Sequence, residues 1–437
     1  MSETRSVVLF WFRRDLRLND NHGLYRALKE AGNVQPIFIF DTHILGKLED
    51  TDDRRVSFLH DRVGTLDDQL RSHGSSLLVK QGDPLTIFRT LIQERAIEAV
   101  YANHDHEPYA LERDGSIKEL LRENGIAFHT FKDQTIFERD EVVKDDDSPY
   151  TVFTPYAKRW RARLTEVGVP HYPSEHALGS LHKNVGPALI PLEDLGFHYE
   201  PYDVVGLVPS TLLLERYASL RNTPSVAGTS RIGVHLRFGT VSVRDMVRLG
   251  MLHSDTWLNE LIWREFFMQI LWHFPHVEKG AFRKAYDAIP WRDDEAGFDA
   301  WCAGRTGYPL VDAGMRELRA TGSMHNRVRM VVASFLCKHL LIDWRWGEAW
   351  FARWLMDFEL SSNNGNWQWA AGCGCDAAPY FRVFNPTLQL KRFDPEMKYV
   401  LKWAPEYGEL NAPIPIVDHK TARERAIATY KSALTLG

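Results

Sequence analysis

The hydrophobic pattern of this chain changes period once, and that change constrains its fold more than any other feature of the 437 residues. Over the first 133 residues, β-branched and aromatic runs at 7–12, 34–40, 76–79, 96–101 and 127–131 alternate with amphipathic stretches at 22–31, 54–73, 84–94 and 107–124. Strand side chains repeat every two residues and helix side chains every 3.6, so the runs predict five strands and the stretches the helices between them. Such alternation folds as a parallel sheet with helices on both faces. From about 207 onward only helical spacing remains, at 212–220, 241–252, 257–272, 311–320, 324–341 and 347–360. The expected fold class is an α/β domain with a five-stranded, Rossmann-like parallel sheet, followed by an all-α domain. Residues 134–206, with an acidic run and scattered prolines, read as a connector between domains 1–133 and 207–437.

Composition narrows the function classes. No apolar run approaches membrane-spanning length, and the first residues lack a signal-peptide core. Four cysteines in a chain this long fit a reducing, cytoplasmic setting rather than a disulfide scaffold. Residues 1–150 carry 20 basic and 28 acidic side chains, while the remainder carries 33 and 30; this balance neither excludes nor predicts nucleic acid, because binding needs only a local basic surface. Twelve of the 14 tryptophans also lie after residue 250. The plain reading is a large aromatic core; the sharper one is that this half uses indole rings.

Four segments could carry chemistry. Glu260, Trp263, Arg264 and Phe267 share one helix face, placing a carboxylate, an indole and a guanidinium together. Asn326 and Met330 share another, with Arg327 and Arg329 beside them and Asp357 available as a partner for Arg329. Asn363 and Trp367 stand one helical turn apart, followed by Cys373 and Cys375, which lack the further ligands a structural zinc needs. Thr229 and Ser230 precede a helix start, where hydroxyls and free N–H groups suit an anion. Each segment alone reads as packing, an ion pair or a cap. No glycine-rich phosphate loop follows the first strand; Arg13-Arg14-Asp15-Leu16-Arg17 stands there instead, so a dinucleotide-binding Rossmann site is not expected.

Together, and with the opening stretch Phe10-Trp11-Phe12-Arg13-Arg14-Asp15, these segments resemble the photolyase/cryptochrome family over essentially the whole chain. The resemblance implies FAD held by the helical domain and light-driven electron transfer from reduced flavin to a flipped-out cyclobutane pyrimidine dimer in UV-damaged DNA. By position, Tyr217, Thr229, Ser230, Arg231, Ile232 and Gly233 would hold the diphosphate, with Gly233 where the family has serine. Trp257 would line the flavin pocket, Arg329 and Asp357 would pair beside the ring, Glu359 stands where Asp is usual, and Asn363 would face N5. Trp367, Trp344 and Trp291 match the electron-relay tryptophans. Glu260 and Asn326 would bond the base edges, Trp263 and Trp369 would flank the dimer, and Met330 would pack on it. Arg264, Arg327, Arg382 and Arg392, with Gln389, would grip phosphates.

Asn363, with His325 followed by Asn326 and Met330 rather than a two-histidine site, favours cyclobutane dimers over 6-4 photoproducts. The alternative is a cryptochrome, a photoreceptor with the same flavin and no repair. A second chromophore of deazaflavin or folate type is implied for the α/β domain by the segments around Asp41 and Tyr101–Ala110. The expected protein is a monomer acting on DNA, with no membrane partner and no metal.

Overall fold

The computed structural model describes residues 6–410 and 412–436 and divides into two compact units. The first contains the chain up to Glu138 together with Ala162–Leu207 and Ile232–Leu249. Its sheet has five parallel strands, β1 (Val7–Phe12), β2 (Val34–Asp41), β3 (Leu78–Gly82), β4 (Ile97–Asn103) and β5 (Ala127–Phe131), in the order β3-β2-β1-β4-β5. Every residue of the central strand β1 is buried. Val8, Phe10 and Phe12 join one core with helices His22–Glu30 and Arg54–Ser72; Val7, Leu9 and Trp11 join another with helices Pro84–Glu94 and Pro108–Glu123. Each such side chain contributes about 1.5–3 kcal/mol by leaving water. Strand β3 begins two residues later than its hydrophobic run predicts, because the Ser76 hydroxyl bonds Asn184 and the Leu77 N–H donates to Asp67.

The loop after β1 is locked by charge. Arg17 grips both oxygens of Asp133 at 2.7–2.8 Å, and Arg244 bonds Asp20 at 2.9 Å and Asp133 at 2.8 Å. All four side chains are nearly inaccessible. Burial alone would raise the Asp133 carboxyl, but Arg17 and Arg244 outweigh it and hold the group below the ordinary carboxylate range. Gly239, at φ +62°, lies so close to the Arg14 backbone that a Cβ there would overlap it. Arg244 explains why residues 232–249 cluster with the sheet instead of with the helical domain expected from 207.

The second unit contains Arg139–Arg161, Val208–Arg231 and the chain from Gly250. The expected connector is therefore split. It also contains a long helix, Phe153–Val167, which the prolines around it concealed; Trp160 of this helix donates to Glu265 at 2.6 Å. At the centre of the unit, helix Leu360–Ala371 packs between Trp344–Trp354 and Asp255–His273. Two glycines permit this: a Cβ on Gly347 would sit 2.1 Å from the Trp367 ring, and one on Gly365 would sit 2.2 Å from Phe267. The segment expected as one helix over 324–341 is an α-helix, Asn326–Ser334, that widens into a π-turn, Phe335–Leu340. Helix Trp344–Trp354 ends six residues short of its predicted limit, and the extended Leu355 turns the chain so that Asp357 reaches Arg329. Among the described residues no helix is long and apolar enough to cross a membrane.

Candidate functional site

Helices Asn326–Ser334, Trp344–Trp354 and Leu360–Ala371 enclose an open cleft of about 590 Å³ in the second unit. Eight of the residues singled out in the sequence line it: Asn326, Arg329, Met330, Asp357, Glu359, Asn363, Trp367 and Trp369. Helical spacing brings Asn326, Arg329 and Met330 to one wall and Asn363 with Trp367 to another.

Three polar pairs organise the wall. Arg329 holds both oxygens of Asp357 at 3.0–3.1 Å while its Nε donates to the Met324 carbonyl at 2.8 Å. Arg264 pairs with Glu359 at 3.0 Å in a setting where both are largely buried. This corrects the expectation that Arg264 grips phosphate: its charge is directed at the buried carboxylate. The Asn363 amide donates to the Glu348 carboxylate at 2.7 Å and to the Glu348 carbonyl at 3.0 Å, which leaves the amide oxygen as an acceptor at the cleft. Burial pushes the Glu348 carboxyl up, the Asn363 bond opposes that, and nearby Glu278 adds to it. Sequence spacing does not reveal Glu348 as the partner of Asn363, since it lies on a different helix.

A second group surrounds Glu260. Its carboxylate pairs with Arg221, whose guanidinium lies 5.6 Å from the Tyr217 ring. Burial raises the Glu260 carboxyl, and Arg221 only partly offsets it. Arg327 bonds Asn222 at 2.7 Å and stacks on Phe393 at 4.5 Å, with Arg392 against that ring at 5.2 Å. His325 stands beside these arginines and caps helix Asn326–Ser334 by accepting the Arg327 N–H at 3.1 Å. Burial first, then Arg329, Arg327 and Arg221, push the imidazole down to about 4. The buried Arg327 Nε and His325 Nε2 have no protein partner. Arg382 and Arg392 are exposed and Gln389 half-buried. Burial, then Arg221 and Arg392, push the Arg327 guanidinium down, so like charges crowd one another here.

Ser230 accepts the Trp257 indole N–H at 3.0 Å, and Arg231 adopts a left-handed backbone with φ +50°. A left-handed residue in a turn is the backbone conformation from which anion nests are built. Ile232 and Gly233 belong to the first unit, where Gly233 begins a short helix. The Trp263 ring lies flat on Phe153 at 3.6 Å and 6°. Trp263 is outside the cleft lining and, with one face covered, can offer a flat ligand only its remaining surface. Phe153, Arg221 and Glu348 are the site residues that sequence reasoning missed.

Trp367 and Trp344 are buried, and Trp291 is half-buried with its edge against Tyr430 at 5.8 Å. No group of three or more metal-ligating side chains gathers among the described residues. Cys373 and Cys375 are buried free thiols, which burial raises to about 12.

Hydroxyls and N–H groups for a diphosphate, a guanidinium–carboxylate pair for a ring edge and an amide acceptor fit a flavin nucleotide. Comparison with known proteins agrees. The family described as DNA photolyase matches residues 8–175, and the FAD binding domain of DNA photolyase matches 257–414. A Synechococcus protein named deoxyribodipyrimidine photo-lyase is 36% identical over 97% of this chain and 96% of its own length. The crystal structure of a bacterial class III photolyase from Agrobacterium tumefaciens superposes with a TM-score of 0.86 at 34% identity, covering 99% of this chain and 98% of that one. An archaeal photolyase from Sulfolobus tokodaii, solved with two FAD molecules, gives 0.79 at 33% identity over 98% and 100%.

Proposed function

This chain belongs to the DNA photolyase family, and on that footing we propose that it splits cyclobutane pyrimidine dimers in UV-damaged DNA under blue light. Its cofactor is FAD. Bound FAD supplies the absorption of blue light and the electron that opens the dimer. The observation that carries the reading is the neutral Asn363 amide, held by Glu348 at the wall of a cleft that Arg329 and Asp357 also line. An amide there can face a reduced, electron-rich ring without adding a second negative charge.

The chain's own groups do the rest. Tyr217, Thr229, Ser230 and Arg231 bind the diphosphate, and Trp257 packs behind Ser230. Arg329 and Asp357 fix the ring edge, and Glu359, steadied by Arg264, accepts a ring N–H. On the DNA side, Arg327, Arg382, Arg392 and Gln389 hold phosphates, which gives affinity without sequence preference. Glu260 and Asn326 meet the base edges, Met330 and Trp369 pack against the extruded pair, and Trp263 offers its open side. Extruding a nucleotide requires a few kcal/mol, least for a damaged and poorly stacked one, so selectivity for the lesion begins with the DNA itself. Trp367, Trp344 and Trp291 return electrons to the oxidised cofactor.

In the first unit, Asp41, Tyr109, Arg113 and Trp11 gather at the carboxyl ends of β1 and β2, with Tyr109 donating to Asp41 at 2.7 Å and Arg113 lying 4.8 Å from the Trp11 ring. A flat antenna chromophore of deazaflavin, folate or flavin type would find its ring and charge partners there. We place the protein in the cytoplasm as a monomer. The cryptochrome alternative is the less favoured, since the matched relatives carry the repair enzyme's name. The test is direct: reduced enzyme mixed with a dimer-bearing oligonucleotide restores thymines under blue light and not in the dark, and an unchanged lesion after illumination would favour the photoreceptor.

A further inference from the structure

Phe153, the first residue of helix Phe153–Val167, covers one face of Trp263 and has no task in the reaction described above. We propose that it is a positioning residue: it fixes the Trp263 indole as a flat wall for the extruded dimer, and so sets how strongly the protein prefers a dimer to undamaged DNA. The inference rests on the reading of Trp263 as a ring that flanks the substrate, and deepens it.

Trp263 is half-buried on helix Asp255–His273 and is held by a cluster of rings. Phe153 lies on its face at 3.6 Å between centroids and 6° between planes, Phe266 stands edge-on at 5.7 Å, and Phe267 leans on it at 5.5 Å. Phe153 is itself buried and meets Phe266 edge-on at 5.8 Å. Any other staggered position of the indole would give up the stack on Phe153.

A stack this close and parallel does not hold itself together. Aromatic pairs prefer offset or edge-to-face arrangements with centroids about 4.5–7 Å apart, because facing π clouds repel. The backbone supplies a clamp. The Phe153 N–H, one of the donors that a helix start leaves without an intrahelical partner, donates to the Asp376 carboxylate at 3.1 Å. Asp376 has a left-handed backbone, φ +47°, and lies on the stretch that follows helix Leu360–Ala371. That stretch continues to Arg382, whose N–H closes a turn on the Pro379 carbonyl at 2.8 Å. The wall for the base and a grip for the phosphate are thereby tied to one segment.

Fixing the ring in advance matters because a side chain immobilised only on binding subtracts its lost rotamer freedom from the affinity. Phosphate contacts carry no information about the bases, so they serve damaged and undamaged DNA alike. The indole wall meets only an extruded dimer, and what Phe153 contributes is felt by that complex alone. A flat face is required for this; bulk without a ring lets the indole rock.

The experiment uses the reduced, FAD-loaded full chain in the dark, with an oligonucleotide carrying one cyclobutane thymine dimer and its undamaged counterpart. Phe153→Met keeps most of the volume and removes the flat face. Its Kd for the dimer should rise about five- to tenfold, while its Kd for undamaged DNA stays within about twofold of the parent. Phe153→Tyr keeps the ring and should keep the preference. Asp376→Ala, at a half-buried position outside the ring cluster, should reduce the preference about threefold, whereas Asp376→Asn retains an acceptor and should preserve it. In a Trp263→Ala background, Phe153→Met should change dimer affinity no further. Under constant light the loss in Phe153→Met should fall on KM rather than on kcat. Equal weakening of both DNAs, or the same cost of Phe153→Met with and without the indole, would overturn the positioning role. If the parent protein binds the two DNAs equally, the repair reading itself fails.

Discussion

Glu348 orients Asn363: the amide nitrogen donates to the carboxylate at 2.7 Å and to the same residue's carbonyl at 3.0 Å. Only one of the two faces of this amide can then be an acceptor at the cleft. Asn363→Asp places a second carboxyl beside a group that burial already pushes up, so the pair would share one proton. We expect repair to fall about tenfold, equivalent to roughly 1.4 kcal/mol. Glu348→Gln retains an acceptor and should stay within about twofold of the parent, whereas Glu348→Ala frees the amide and should behave like the aspartate variant. Turnover of dimer-bearing oligonucleotide under constant light decides it.

Trp367→Phe should slow photoreduction of the oxidised cofactor by roughly tenfold or more while leaving repair by dithionite-reduced enzyme nearly unchanged. The ring is packed against Trp301, Phe351 and Gly347, and phenylalanine fills most of that space. Absorption of the flavin during illumination, followed by a repair assay on the same sample, separates the two roles.

Arg264→Met should lower stability by about 3 kcal/mol, because it leaves the Glu359 carboxylate buried with the Ser362 hydroxyl as a remaining partner. Adding Glu359→Gln to that variant should recover a large part of the loss, since no buried carboxylate then lacks its guanidinium. Urea midpoints of the four proteins give the coupling. FAD retention should fall in Arg264→Met and in the double variant alike, as both lose the ordered Glu359 acceptor.

Acid sensitivity should have a component from His325. Its folded-state value of about 4 lies below the ordinary 6.5, so the folded protein resists the proton that the unfolded chain accepts. Stability from this group is constant above pH 6.5, declines as pH falls from 6.5 to 4, and is constant again below. The loss reaches about 2 kcal/mol by pH 5. His325→Asn keeps a cap acceptor for the Arg327 N–H and cannot titrate, so the difference in urea stability between pH 7 and pH 5 should shrink by about that amount.

Five strands and the order of most helices were legible because burial on both faces of a parallel sheet, or on one face of a helix, writes a period into the chain. Helix Phe153–Val167 carried such a signal, with Phe153, Tyr156, Ala157, Trp160 and Leu164 at helical spacing and buried, but prolines at 149, 155 and 170 masked it. The cleft residues on single helices were legible by spacing. What joins helices was not: Glu348 to Asn363, Arg221 to Glu260 and Arg264 to Glu359 are set by packing between segments far apart in the chain. Trp263 shows the same limit, because nothing near it foretells that Phe153 covers one face.

The buried quartet of Arg17, Asp20, Asp133 and Arg244 lies in the sheet unit, apart from the residues assigned to chemistry. The charged stretch that follows the first strand in this chain therefore supplies a scaffold joint through Arg17 and Asp20. That joint can tell how the sheet unit is braced, while the photochemical occupation of the chain has to be sought elsewhere, at positions such as 363.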